Sequence, residues 1–339
     1  MWLASTPPPL PGVTVGNVPQ PILPTAFDFN NSDARSRRNG RLCFLSALNF
    51  ESLDASFGTR VSGIQLRYID DDVFREIYAR WLDHGLLVFS GQFLNRDEQI
   101  KLAKRFGSLE FEIAPISNVM PDGSLRPDDG TDDIVKILKD NMGWHHDSTY
   151  MPVQAKGAVF TAEVVPNSGG ATGFSDMRAA YDALDDATVR KIENLLAHHS
   201  LYHSQVKVGH EGKKRSHRGT GLNMDKGYNG YGFHDGPISV RPLVKTHPET
   251  GRKNLLIGRH AYDIVGFDSD ESERLLQGLV DCACQRPRTY HHEWAVGDAV
   301  IWDNRRLMHQ ATPWPMDQAR IMWHSRIAGD PNTEAALAS

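Results

Sequence analysis

Short blocks of apolar and β-branched residues, punctuated by glycine and proline, dominate the pattern along this chain. Gly85-Leu-Leu-Val-Phe89 and Gly157-Ala-Val-Phe-Thr-Ala-Glu-Val-Val165 lack helical periodicity and read as buried strands, the second ended by Pro166. Pro242-Leu-Val-Lys-Thr-His247 and Lys253-Asn-Leu-Leu-Ile257 flank Pro248-Glu-Thr-Gly251, which predicts a hairpin. Thr289–Trp294 and Ala299–Trp302 flank a second turn, Val296-Gly-Asp298, and Ala319–Ile327 supplies a last strand. Helical periodicity is confined to a few segments. Asn95-Arg-Asp-Glu98 has the form of a capping box opening a helix through Phe106, which Gly107 stops. Met177–Leu184 and Asp186–Leu196 read as a helical pair, the second aligning Val189, Ile192, Leu195 and Leu196 on one face. His198 and His199 would then close that helix, where a cation suits the dipole. Glu271–Cys284 predicts another helix. The fold class that follows is mostly β with helical insertions, a barrel or jelly roll decorated by helices.

Composition trims this picture. The chain has 339 residues, 40% of them hydrophobic, enough for a sizeable core. Residues 1–40 are Pro-rich and read as a disordered arm; Met1–Phe27 carries no Lys or Arg, unlike the basic start of a signal peptide. No apolar run is long enough to span a membrane. A net charge of −5 is a poor electrostatic footprint for nucleic acid. Cys43, Cys282 and Cys284 read as buried reduced thiols, which suits a cytoplasmic protein. Gly209–Gly236 is glycine-rich and carries Lys213, Lys214, Arg215, Arg218 and Lys226. It reads as a basic surface loop, or as a lid that receives an anion.

The chemistry concentrates in Trp144-His-His-Asp-Ser-Thr-Tyr150. In extended backbone, His145 and Asp147 project to one side and can meet one metal ion. An isolated H-x-D motif is common by chance in a chain with fifteen histidines. Its company raises its meaning: Gly169-Gly-Ala-Thr172 follows, then Trp302-Asp-Asn-Arg-Arg-Leu-Met-His309, then Arg320. Two histidines and a carboxylate on one face of an octahedron leave open positions, the arrangement of non-haem Fe(II) oxygenases. Trp144, Trp302 and Trp323 read as core, and His291 and His292 as exposed or locally bonded.

These residues resemble the Fe(II)/2-oxoglutarate-dependent taurine dioxygenase (TauD/TfdA) family, and within it the aryloxyalkanoate dioxygenases. The matching stretches are Ala114–Val119, Asn141–Val153, Gly157–Phe160, Asp176–Leu184, His247–Arg252, Leu256–His260 and Met322–Arg326, within a domain over 44–331 followed by a tail, 332–339. The resemblance implies a double-stranded β-helix (jelly-roll) core and iron held by His145, Asp147 and His309. It also implies that Thr172 and Arg320 hold the distal carboxylate of 2-oxoglutarate, with O₂ as the other cosubstrate. A guanidinium suits that task because it donates two parallel bonds to a carboxylate. Asn141 is a further cosubstrate candidate. For the substrate the candidates are His324, Arg326, Tyr150, Ser117 and Arg259. The taurine enzyme carries an Arg where this chain has His324, so a sulfonate clamp is not expected. A His there binds an anion if protonated, or hydrogen-bonds a neutral group. The implied reaction hydroxylates a small carboxylate substrate, cleaving an aryloxyalkanoate ether to a phenol and an oxo acid. The alternatives are the same chemistry on another small anion (an organosulfur compound or natural-product carboxylate), a metal-stabilised binding module, or a zinc hydrolase on the same ligands. A homo-oligomer is expected, with neither nucleic-acid nor membrane partners.

Overall fold

In the computed structural model, residues 48–207 and 238–337 are described; the Pro-rich arm, Cys43 and the Gly-rich basic stretch lie outside them. The chain opens with β1 (Asn49–Ser52), β2 (Thr59–Ser62), α1 (Asp71–His84), β3 (Leu86–Phe89), α2 (Arg96–Phe106) and β4 (Leu109–Ser117). It continues through α3 (Asp133–Asp140), β5 (Gly157–Val164), β6 (Thr172–Asp176), α4 (Met177–Asp182), α5 (Asp186–Ile192), β7 (Leu196–His199) and α6 (Leu201–Lys207). The remainder comprises β8 (Ser239–Pro242), β9 (Val244–Thr246), β10 (Lys253–Leu255), β11 (Ala261–Ile264), α7 (Ser269–Ala283), β12 (Thr289–His292), β13 (Ala299–Asp303), β14 (Leu307–Ala311), β15 (Ile321–Ile327) and α8 (Pro331–Glu334).

Seven strands form one sheet in the order β1-β2-β3-β13-β5-β15-β4, antiparallel apart from the β2–β3 pair. A second sheet, β12-β6-β14, packs against it. The apolar runs of β3, β5 and β13 are continuous because both faces of the large sheet are covered. Val159 and Ile301 point to one face, under Ile77 and Trp81 of α1 and Leu102 and Phe106 of α2. Ala158, Phe160, Val300 and Trp302 point to the other, against Phe174 of β6 and Leu307 of β14. The far face of the small sheet is sealed by Met177 and Ala180 of α4 and Leu276 and Leu279 of α7, which meet Met308.

Local signals explain the helix starts. Asn95 accepts from the Glu98 backbone N–H while the Glu98 carboxylate accepts from the Asn95 N–H, both at 2.9 Å, so the capping box forms. Such a cap contributes about 1 kcal/mol. Gly85 ends α1 in the left-handed conformation (φ 76°), which costs glycine nothing. The β9–β10 hairpin forms with Lys253 opposite Thr246. Thr289–Trp294 and Ala299–Trp302 do not pair with one another. Their turn instead carries the chain from the small sheet, where β12 pairs with β6, to the large one, where β13 lies between β3 and β5.

Three expectations need correction. The second helix of the predicted pair ends at Ile192, and His198 and His199 belong to β7, bracketed by β8 and β11. Pairing on both edges outweighs the helical spacing of Leu195 and Leu196. Trp302 is core, but Trp323 faces outward with the Arg96 guanidinium 3.9 Å above its ring. The segment expected as a tail is docked as far as residue 337: Glu334 is buried, Lys245 bonds its carboxylate and Arg241 its carbonyl. Cys282 and Cys284 are free, as expected of reduced thiols, and half-buried.

Candidate metal centre

The centre is built on the free edge of β14. His145 and His309 exchange backbone hydrogen bonds, N to O at 3.0 Å and 2.8 Å, so the 144–146 segment acts as an added strand of the small sheet. Directly opposed residues in an antiparallel pair send their side chains to one face. The two imidazoles accordingly sit with ring centroids 4.3 Å apart. Asp147, two residues on, reaches the same point, and one donor atom from each of the three lies within 4.8 Å of the others.

Each donor is prepared for a cation. Burial, reinforced by positive neighbours, lowers the pKa values of His145 and His309 well below the ordinary range, so both offer a neutral lone pair. The His145 Nδ1 is bonded to the Gly143 carbonyl at 2.7 Å, which turns the other ring nitrogen toward the site. Burial opposes the charge on Asp147, but the Arg326 guanidinium outweighs it and holds the carboxyl below its usual range. Its Oδ1 accepts from Arg326 Nη2 at 2.8 Å, while Oδ2 is buried without a hydrogen-bond partner, 3.7 Å from His309 Nε2. An orphaned carboxylate oxygen beside neutral imidazoles fits a divalent metal of the iron type, which takes nitrogen and oxygen donors together.

The loop that leads into β6, the partner strand of β14, holds an unusual cation. Arg320 is 2% exposed, its Nε donates to the Gly170 carbonyl at 3.2 Å, and its guanidinium lies 5.0 Å from the Trp314 ring centroid. Among the described residues it has no acidic partner, and burial alone depresses its pKa to about 10. Gly170 leads into β6, where Thr172 pairs with Ala311 and Phe174 with His309. The Thr172 hydroxyl oxygen accepts from Trp294 Nε1 at 2.9 Å, leaving its own proton free to donate.

The model of the taurine catabolism dioxygenase TauD, TfdA family matches residues 49–326. The chain belongs to this family. It is 62% identical over 292 residues to the (S)-phenoxypropionate/alpha-ketoglutarate-dioxygenase of Sphingobium herbicidovorans, covering 86% of this chain and 99% of that one. It is 51% identical to the enzyme of the same name from Delftia acidovorans, covering 86% and 98%. Among solved structures, AAD-2 in complex with Mn(II) and N-oxalylglycine superposes with a TM-score of 0.75 at 32% identity, covering 86% of this chain and all of that one.

The remaining candidates in this TauD/TfdA-family chain divide. Tyr150 is buried, edge-on to His260 at 4.9 Å, and His260 is in turn edge-on to His145 at 5.7 Å. Arg259 donates its backbone N–H to Trp144 and reaches Ser204 of α6 at 3.5 Å. Arg259 is thus tied to the residue before His145, and Tyr150 reaches His145 only through His260. Asn141 contributes its carbonyl, which accepts from Ala311 N and so steadies β14. The Ser117 hydroxyl accepts from Val119 N in a local turn. Arg326 is not a free substrate clamp, because its guanidinium is spent on Asp147. His324 lies at the centre, stacked on Trp302 at 5.6 Å with Phe160 and Phe111 edge-on. Burial, with Arg326 next, lowers its pKa to about 3. In the ligand-free protein this favours the neutral imidazole, the form that hydrogen-bonds rather than carries charge. His292 is buried and bonded to Asp298 at 3.1 Å, a local bond.

Two positioning residues escaped the sequence reading. Asn304 accepts from Asp147 N at 2.7 Å and donates to the carbonyls of Asp147 and Ala155, while its own carbonyl meets His146 Nδ1. Asn118 does the same for the Arg320 loop, accepting from Arg320 N and donating to the Met316 and Gln318 carbonyls. Both lie inside motifs that were read for their neighbours, and an Asn carries no chemistry of its own to mark it.

Proposed function

We propose that this chain is an Fe(II)- and 2-oxoglutarate-dependent dioxygenase that hydroxylates a small aryloxyalkanoate carboxylate and so splits its ether. The observation that carries this reading is Arg320, a buried guanidinium without an acidic partner among the described residues, bonded to the loop that leads into β6, whose partner strand β14 carries one of three converging metal donors. A buried charge left unpaired is costly, and a dicarboxylate cosubstrate supplies the missing anion. Bound at His145, Asp147 and His309, iron with 2-oxoglutarate and O₂ supplies oxidation of a substrate C–H bond, 2-oxoglutarate leaving as succinate and CO₂.

The chain's own part is to bind, orient and exclude water. Arg320 and the Thr172 hydroxyl take the distal carboxylate of the cosubstrate. Phe160, Phe174 and Trp302 wall the centre with apolar surface. On the other side of His145, Arg259 anchors the substrate carboxylate and Tyr150 with His260 borders the aryl group. Hydroxylation at the carbon bearing the ether oxygen gives a hemiacetal or hemiketal. It collapses by moving the hydroxyl proton to the departing phenolate, leaving a phenol and an oxo acid. We read the two facing sheets as a double-stranded β-helix core. Among the described residues no helix is long and apolar enough to cross a membrane, and a cytoplasmic, homo-oligomeric enzyme is the setting we assign, with no nucleic-acid partner.

The test is direct. Fe(II) and 2-oxoglutarate added without oxygen should produce a visible charge-transfer band. Admitting O₂ with chiral phenoxypropionates, phenoxyacetates, taurine and an amino acid should then release succinate with the aryloxyalkanoates. No band and no substrate-stimulated succinate would overturn the reading. Succinate with taurine alone would move it to another anion.

A further inference from the structure

Asp147 is the one donor at this centre with two usable atoms, and the structure treats them unequally. Oδ1 is engaged by Arg326 at 2.8 Å, and Oδ2 faces the imidazoles of His309 and His324 with no hydrogen bond. The guanidinium that makes this difference is itself held. Arg326 Nη1 lies 3.2 Å from Ser148 Oγ and 3.5 Å from the Glu110 carboxylate, and the Phe111 ring centroid is 4.9 Å away. The Ser148 hydroxyl donates to Glu110 at 2.9 Å.

Two backbone irregularities converge on the arrangement. Ser148 has φ 58°, a left-handed conformation that a non-glycine residue holds only when its surroundings require it. The pairing of β15 with β4 slips between His324, opposite Ala114, and Arg326, opposite Phe111. A slip of this kind re-aims side chains, and here Phe111 touches both His324 and Arg326. Glu110, Arg326 and Asp147 thus form a buried line of alternating charge that ends at the metal donors.

We propose that Arg326 is a positioning residue that commits Asp147 to the centre through one oxygen only, braced from behind by Glu110 and Ser148. A carboxylate free to turn would chelate a divalent cation with both oxygens and occupy a position that a cosubstrate needs. Arg326 holds that position open. The inference rests on the metal and 2-oxoglutarate reading above, and it concerns how the chain shapes that site.

Removing Arg326 alone strands two buried carboxylates, so the main variant is the double substitution Arg326→Met, Glu110→Gln, which removes one charge of each sign. Titration calorimetry with Mn(II), then with 2-oxoglutarate on the Mn(II)-loaded protein, reads the two affinities separately. The expected result is Mn(II) binding as tight as wild type or tighter, with 2-oxoglutarate binding weakened about tenfold or more. Arg326→Lys, which restores one donor to Oδ1, should recover most of the loss. Glu110→Gln alone loosens the brace and should shift both affinities the same way but less, which keeps the test open if the double variant does not fold. Parallel weakening of Mn(II) and 2-oxoglutarate would reduce Arg326 to a structural role and overturn the proposal, as would unchanged 2-oxoglutarate affinity. If wild type itself fails to bind 2-oxoglutarate with Mn(II), the function falls and the inference with it.

Discussion

Two buried ionic clusters lie close together in this chain, joined through neighbouring residues, and they are finished differently. In the first, Asp303 receives Arg305 through Nε at 2.9 Å and Nη2 at 2.7 Å and meets His247 at 3.0 Å. Arg305 continues to Glu249, Glu249 accepts from Tyr78, and Lys156 reaches the Tyr78 hydroxyl. Burial opposes the charge on Asp303, but Arg305 and His247 hold its carboxyl far below the usual range. In the second cluster, among the described residues, Asp147 Oδ2, His309 Nδ1 and His324 Nε2 have no hydrogen-bond partner, and Arg320 has no acid. A closed network is scaffold, since every polar group already has what water gave it. An open one, at the same depth, is unfinished until something binds.

The comparison can be broken at its strongest point first. Asp303→Ala should cost about 3 kcal/mol of stability, because it removes the two-pronged partner of buried Arg305 and leaves only the half-buried Glu249 to balance it; chemical denaturation measures it. Arg320→Met should do the opposite for the ligand-free protein, holding or raising its melting temperature, while weakening 2-oxoglutarate about a hundredfold through the lost charge-assisted bonds. If Arg320→Met destabilises the ligand-free protein as much as Asp303→Ala does, the contrast between the clusters is wrong. Asn304→Ala tests the joint between them, since Asn304 follows Asp303 and holds Asp147. Metal affinity should fall about ten- to a hundredfold, read by Mn(II) calorimetry.

The smallest effect per group is in pH. Burial lowers the pKa of His146 to about 4 and places His199 and His260 well below the ordinary value. Unfolded, these imidazoles titrate near 6.5. Between that value and their folded pKa values the unfolded chain binds more protons, so stability falls as pH drops through this window. The slope is about 1.4 kcal/mol per pH unit for each such proton. The metal-free protein should therefore melt lower at pH 5 than at pH 7, whereas the contribution of Asp303 is intact above about pH 4. A flat melting temperature across that interval would contradict the neutral, buried histidines.

What the sequence made legible follows from distance along the chain. The capping box at Asn95 and the hairpin around Pro248–Gly251 are local, so they could be read residue by residue. The His145, Asp147 and His309 set was legible through motif spacing and resemblance, although its geometry depends on a bridge between distant segments. Arg326 was misjudged because it shares an inward face with His324, two residues earlier, and only the slip against β4 shows which partner each meets. His199 was misplaced because its fate depends on β8 and β11, both later in the chain. Asn304 and Asn118 act through backbone amides and carbonyls, which leave no imprint in residue type.

The reciprocal bridge between His145 and His309 also sets a timetable. His145 and Asp147 leave the ribosome well before His309, which arrives on β14 after β5 to β13 have been made. Such long-range pairings form late, after the loop between them has closed. A nascent or truncated chain lacking β14 therefore has no complete iron site. Metal capture then waits on the folded sheet, because a chain in which β14 has not yet paired presents only two of the three donors.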